Sequence, residues 1–395
     1  MTMLVALLSA CAVPSSQEQS DPTQEVSSAL KISPCLLVLP ELESVAQGAA
    51  KQLQDNGAPG WSVYVSRRVG SLSEPCVAVS SGGYARSHVD GYAAFTPDVS
   101  FSTASQSKIV TAAAVFEILR KNKLDPKTET IGKHLPAGWP VGPGVKSITF
   151  DELLRHRSGL FSAKGNSIEN WFGETTDIQT WLMMGVTDPM KARVYANLGY
   201  ALLNLLAARM EYGSSVTTSD WAGILMQQHV WTKFLSPNGF PVQGSAMPSC
   251  IFSPSKDALA YAPKALPAFG GAQPTPATAY AHCGAARWNF TQRNFGRFLD
   301  RLHHGDFFAS AEAAANLPPG SMVKEFEERL YGFDSQDTVT NDAYVTKGGN
   351  LPVGDTELKS KSYIFLGSGT VVAAFINADS AIGDAVTNAW ASRKK

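Results

Sequence analysis

From Ile109 to Leu119 the chain reads Ile-Val-Thr-Ala-Ala-Ala-Val-Phe-Glu-Ile-Leu, and only Thr111 and Glu117 interrupt the apolar run. A helix that is apolar on every side has no solvent face, so other elements must wrap it completely. The run is too short for a bilayer, which needs about 20 apolar residues. Arg120, Lys121 and Lys123 follow, cations suited to a helix C-terminus, before Asp125-Pro126 stops it. The chain must therefore build a layered core around this helix. Its 395 residues, 44% hydrophobic and only 17% charged, suffice for one large domain or two modest ones. A net charge of -1 argues against nucleic acid and against a polybasic membrane surface, since both need excess Lys and Arg.

The rest of the chain can be read around that helix. Leu42, Val45, Ala46, Ala49 and Leu53 recur at helical spacing and predict a helix over residues 40–54, broken by Asn56-Gly57-Ala58-Pro59-Gly60. Trp61–Ser66 and Cys76–Ser80 read as strands. Helices are expected over 148–155, 200–210 and 295–302. A Pro-rich stretch from about residue 237 to 285 is either a long surface connection or a wall of a cleft. Strands return at 342–346, 361–366 and 370–377, and a last helix carries Ile382, Ala385, Val386, Ala389 and Trp390 on one face. Strands at both ends with helices between predict an α+β fold. One antiparallel sheet is built from both chain ends and flanked by the terminal helices, about 35–125 with 320–395. A mainly helical lobe, about 126–319, is inserted. The cleft between them is the expected site.

The N-terminus carries an address. Leu4-Val5-Ala6-Leu7-Leu8 followed by Ser9-Ala10-Cys11 looks like a lipoprotein leader, with residues 1–10 as signal segment and Cys11 as lipid acceptor. Polar residues over 11–34 would then form a tether ahead of a domain at 35–395. The expected location is periplasmic or membrane-anchored, with the membrane touched only through a lipid on Cys11. Four cysteines remain, Cys35, Cys76, Cys250 and Cys283. An oxidising compartment would permit Cys35–Cys76 and Cys250–Cys283, each bracketing a short stretch; four buried thiols fit the sequence equally.

Three short motifs carry chemistry. Ser105-Gln106-Ser107-Lys108 opens the buried helix, and i to i+3 spacing puts both side chains on one face. A serine hydroxyl needs a neighbouring base to become a nucleophile, and burial can keep a lysine neutral enough to be one. The same spacing also occurs at Ser28/Lys31, Ser253/Lys256, Ser321/Lys324 and Ser392/Lys395, but only Ser105 leads an apolar helix. Tyr195-Ala196-Asn197 is the only Tyr-x-Asn. A phenol beside two cations can serve as a base, and an Asn can orient both a lysine and a substrate amide. Lys347-Gly348-Gly349 is the only Lys-x-Gly triplet and follows a strand-like run. A strand edge there can pair with extended substrate while its cation recognises a carboxylate. Taken singly, Tyr195 is more often a core or surface tyrosine and Gly348-Gly349 more often a turn.

In this order the motifs resemble the class C β-lactamases, the related D-peptidases and the family VIII esterases. The resemblance extends to Pro59-Gly60, to Phe95-Thr96-Pro97-Asp98 before Phe101, and to Leu153-Leu154-Arg155-His156-Arg157-Ser158-Gly159-Leu160. It implies a β-lactamase/transpeptidase-like fold and a serine hydrolase acting through a Ser105 acyl-enzyme on a D-amino-acid peptide, an ester or a β-lactam. Lys108 and Tyr195 would share the proton, and Asn197 would position Lys108 and the acyl group. Lys347 would bind a carboxylate or support the phenol, and the backbone N–H groups of Ser105 and Asn350 would form the oxyanion hole. His156 would be structural. The family pattern carries a hydroxyl where Gly348 stands, and its loss removes one hydrogen bond to substrate. No cofactor or metal is implied, and the expected partner is a small molecule or peptide. The competing expectation is a tethered binding protein that keeps the fold without turnover.

Overall fold

The computed structural model describes residues 34–394 except 71, 161–174, 239, 241–247, 254, 263–269, 272–278, 354 and 381. The expected leader and tether, with Cys11, lie outside these residues, as does much of the Pro-rich stretch. The helices are α1 (Pro34–Asp55), α2 (Ser107–Lys121), α3 (Phe150–Leu154), α4 (Thr175–Met183), α5 (Asn197–Tyr212), α6 (Ser219–His229), α7 (Cys283–Ala286), α8 (Gln292–His303), α9 (Ala309–Ala314), α10 (Ser321–Glu328) and α11 (Ala385–Ser392). The strands are β1 (Gly60–Arg67), β2 (Cys76–Arg86), β3 (Ala93–Ala94), β4 (Ser100–Ser102), β5 (Asn289–Thr291), β6 (Ser335–Val339), β7 (Asp342–Val353), β8 (Thr356–Phe365) and β9 (Thr370–Ile376).

The seven-stranded sheet runs β3-β2-β1-β9-β8-β7-β6, antiparallel throughout. Its middle pair, β1 with β9, joins the two ends of the sequence, as expected. The reason lies in β9, where every residue is buried: a strand covered on both faces reads as a continuous apolar run. Val372, Ala374 and Ile376 share one core with α1 and α11, and Val371, Ala373 and Phe375 belong to the other. Period-two alternation assigns each side chain to its face.

The second core surrounds α2. Residues 107–119 of that helix are all buried, and Phe116 packs against Phe308, Phe326 and Tyr331. This is the enclosure that the apolar run demanded. Helix α8 lies inside the range expected for the helical lobe, yet it packs on β1 and β9. Gly296 permits this approach, because a Cβ there would sit 2.2 Å from the Tyr64 ring.

Other departures from expectation have local causes. Strand β2 continues past Ser80 to Arg86, through Gly82 beneath the Trp61 ring and Gly83 at φ +73°. Glycines in a strand read as a break from sequence, yet they mark close approach. Strand β6 was not expected at all, since Ser-Gln-Asp-Thr-Val is mostly exposed. Helix α3 starts at Phe150 rather than 148, capped by Thr149 and Glu152 in a reciprocal box. Ile382 is buried but precedes α11. No described helix is long and apolar enough to cross a membrane.

The two disulfides that an oxidising compartment would permit are present, Cys35–Cys76 and Cys250–Cys283, each with Cα atoms 5.3 Å apart. The first ties α1 to β2, far from the motifs described below. Replacing Cys35 and Cys76 by Ala is expected to cost about 3 kcal/mol of stability by freeing the unfolded chain. Thermal unfolding should report the loss, while the reactivity of Ser105 stays unchanged.

Candidate active site

Ser105 sits in a 3₁₀ turn, Ala104–Gln106, that runs directly into α2. The helix itself thus begins at Ser107, two residues later than the sequence suggested. Neighbours hold the turn from both sides. The Thr103 N–H donates to Trp288 O at 2.8 Å and its hydroxyl to the same oxygen at 2.8 Å. Trp288 N–H donates to Ser107 Oγ at 3.0 Å. Ala104 adopts φ +48°, a left-handed conformation that costs a residue with a Cβ roughly 1–2 kcal/mol. The clamped flanks hold it there, leaving Ser105 partly exposed between buried neighbours.

Lys108 projects from the first turn of α2 and is fully buried. Its Nζ lies 3.3 Å from Ser105 Oγ, 2.7 Å from Asn197 Oδ1 and 2.6 Å from Ala285 O. Burial, reinforced by the nearby Lys347 charge, pulls its pKa well below the usual lysine value, and Asp334 opposes this only partly. A neutral amine has two N–H donors and one lone pair. When the amine is neutral, the two carbonyl acceptors can take both donors and leave the lone pair toward the serine. The Tyr195 hydroxyl donates to Ser105 Oγ at 2.6 Å. Oγ accepts that bond and still has its own proton to give.

Tyr195 and Asn197 are placed together by the start of α5, where Ala196 is the N-cap. The Lys108 and Lys347 Nζ atoms lie 4.7 and 4.9 Å from the Tyr195 ring centroid, so both lysines expected beside the phenol are there. His156 braces this corner. It follows α3 at φ +56°, its ring lies 4.6 Å from the Tyr195 ring, and its Nδ1 accepts the Ala196 N–H at 3.2 Å. Burial and the adjacent lysines push its pKa well below the ordinary histidine value, leaving the neutral acceptor that this bond requires.

The third motif lies on β7. Lys347 and Gly349 face inward, Gly348 and Asn350 outward, in the alternation of the strand. Gly349 is in contact with the turn that carries Ser105: an added Cβ would fall 2.5 Å from Thr103 O and 3.2 Å from the Ala104 Cβ. Thr346 O accepts from Asp334 N–H, and Gly348 N–H donates to Asp334 Oδ2 at 2.9 Å. Even-numbered backbone groups of β7 therefore point away from β8. Strand β6 pairs only as far as Thr346, so Asn350 N–H lies on an edge that no described strand covers. Pro352, with no N–H to offer there, suits an open edge.

Sequence reasoning missed two partners. One is the Ala285 carbonyl on α7, which accepts a hydrogen bond from Lys108 Nζ. The other is Asp334, whose Oδ1 lies 2.6 Å from Lys347 Nζ. Lys347, expected to await a substrate carboxylate, thus already has one. Burial lowers its pKa, and the Asp334 charge works against that shift. Nothing local marks either partner. His282-Cys283-Gly284 and His303-His304-Gly305 lie on or beside helices and not on strands. The described residues hold no group of three or more His, Cys, Asp or Glu able to bind a metal ion.

The family described as Beta-lactamase matches residues 46–393. No curated protein sequence matches the chain. Among solved structures, a class C β-lactamase from Rhodobacter sphaeroides is similar at 14% identity and TM-score 0.59, over 88% of this chain and 97% of that one. A β-lactamase/D-alanine carboxypeptidase from Yersinia pestis, complexed with citrate, is similar at 15% identity and TM-score 0.60, over 89% and 97%. An octameric penicillin-binding protein homologue from Pyrococcus abyssi matches at 15% identity and TM-score 0.61, over 88% and 76%. At these identities the likeness is one of fold.

Proposed function

This chain belongs to the β-lactamase family, and from that premise we propose that it is a serine hydrolase working through a Ser105 acyl-enzyme. The observation that carries the reading is the arrangement around one oxygen. Lys108 Nζ lies 3.3 Å from Ser105 Oγ and also contacts Asn197 Oδ1 and Ala285 O, and the Tyr195 hydroxyl donates to Ser105 Oγ at 2.6 Å.

Lys108 takes the hydroxyl proton as Oγ bonds to the substrate carbonyl carbon. The carbonyl oxygen, now an anion, is met by the backbone N–H groups of Ser105 and Asn350. Tyr195 gives its proton to the leaving group as the carbon–leaving-group bond breaks, and the proton held on Lys108 restores the phenol. Water then attacks the acyl-enzyme by the same steps, releasing the acid and regenerating Ser105. Asn197 keeps Lys108 oriented, while Gly348 and Gly349 let an extended substrate approach the β7 edge. The substrate class is an ester, a D-amino-acid peptide or a β-lactam. Gly348 provides no hydroxyl, which weighs against efficient β-lactam turnover. Two disulfides suit an oxidising compartment outside the cytoplasm, and a lipid on Cys11 would hold the protein at a membrane.

Treatment with a fluorophosphonate followed by peptide mass spectrometry tests the reading. One adduct is expected, on Ser105, absent after unfolding in denaturant. An unreactive Ser105 would favour the silent binding protein instead.

A further inference from the structure

Lys347 is 1% exposed, yet its ammonium is already matched by a carboxylate from its own chain. Asp334 Oδ1 lies 2.6 Å from Lys347 Nζ, and Oδ2 accepts the Gly348 N–H at 2.9 Å. The carboxylate therefore bridges the cation and the first backbone donor of the open β7 edge, as a bound carboxylate ligand would. The placement is built into the fold. Gly332, at φ +80°, lets the preceding loop cross the start of α2, where a Cβ would fall 2.8 Å from Ile109 Cα. Asp334 N–H then donates to Thr346 O at 2.8 Å, which fixes the residue against the β7 edge.

This corner is where a leaving group departs, if the proposed acyl transfer is right. The leaving group must reach the Tyr195 hydroxyl to be protonated, and Lys347 Nζ lies 4.9 Å from the centroid of that ring. We propose that Asp334 is a specificity-determining residue that occupies the anion position beside Lys347, so that this site accepts uncharged leaving groups and discriminates against those bearing a carboxylate. With Lys347 and Asp334 both ionised, their charges cancel. An incoming carboxylate would then meet a filled position and a like charge, and repulsion is how such sites reject a near-identical ligand. Four arginines line a cleft of about 340 Å³ together with Asp334: Arg155 and Arg329, which pair with Asp151, and Arg157 and Arg193, which are exposed. Water and salt screen the exposed two more than the Lys347–Asp334 contact, in which the lysine is buried and the carboxylate side chain is 39% exposed.

The proposal rests on the acyl-transfer reading, and its test separates the two. Matched esters, 3-carboxyphenyl acetate and its uncharged methyl ester, 3-(methoxycarbonyl)phenyl acetate, are compared on the wild type and on Asp334→Asn. Asp334→Ser serves as a second variant in case the amide perturbs folding. The wild type is expected to prefer the uncharged ester. Each substitution should shift the kcat/KM ratio toward the anionic ester by about tenfold, the value of one 1.4 kcal/mol interaction. That shift should fade as pH rises, because Lys347 without its carboxylate partner loses its proton more readily. A merely structural role would change both esters alike and leave their ratio flat with pH. Fluorophosphonate labelling is run alongside. A labelled Ser105 with an unchanged ratio overturns the role of Asp334 alone, as does a wild type that prefers the anionic ester. An unlabelled Ser105 overturns the acyl-transfer reading and this proposal with it.

Discussion

Lys108→Met is expected to lower kcat/KM for an ester substrate by roughly 10³-fold, the range contributed by a well-placed general base. Methionine fills a similar apolar volume but has neither the lone pair facing Ser105 nor the donors that hold Asn197 and Ala285. The pH profile identifies the cause. Lys108 is pulled well below the ordinary lysine value, so the wild-type acylation rate should rise with pH and level off once that amine is neutral. The residual rate of the variant should lack this step. Stability carries a matching signature. The folded lysine releases its proton at a lower pH than the unfolded one, so the unfolded chain binds more protons in between. Wild-type stability must therefore rise with pH across that window, up to the ordinary lysine range near about 10.4. The difference between wild type and Lys108→Met should move in favour of the wild type as pH increases. A rate loss without a change in pH profile would remove Lys108 from the role of base.

Gly349→Val is expected to cost at least 10²-fold in kcat/KM through displacement alone. An added Cβ would lie 2.5 Å from both Thr103 O and Ser360 Oγ. The Ser360 hydroxyl can rotate, but the Thr103 carbonyl belongs to the clamped backbone beside Ser105. Either β7 moves out or the turn moves in, and both separate Asn350 N–H from the carbonyl that Ser105 would attack in the proposed acyl transfer. Overpacking of this kind also costs about 1–3 kcal/mol of stability. Gly348→Ala is the comparison on the substrate-facing side of the strand, since its Cβ would meet no protein atom nearer than Asp334 Oδ2 at 3.7 Å and can act only on substrate approach. Equal losses at both positions would show that substrate approach, not contact with the turn, sets the requirement.

Much of this arrangement was legible before any coordinates. The apolar run at 109–119 announced a helix that had to be enclosed, and residues 107–119 are buried. The alternation and apolar density of 361–366 and 370–377 announced strands, and β8 and β9 are central ones. Ser105, Lys108, Tyr195, Asn197 and Lys347 were singled out because their residue types only make sense together. The direct contacts of Ser105 Oγ with Lys108 and Tyr195 bring two of those stretches to one atom. Strand β6, the reach of β2 through its glycines and the carbonyl on α7 were not legible. An exposed polar strand has no apolar period, and a carbonyl group belongs to every residue alike.

The sequence alone determined which side chains are chemically equipped to act, because hydroxyl, amine and phenol are fixed by residue type and the apolar runs fix what must be buried. Only the tertiary structure decided what each group faces. Ala285 O reaches Lys108 across 177 residues of chain, and Asp334 meets Lys347 only because an edge strand without a hydrophobic signature pairs with β7. Charge balance in a buried site depends on distance through space, and neither composition nor spacing along the chain records that distance.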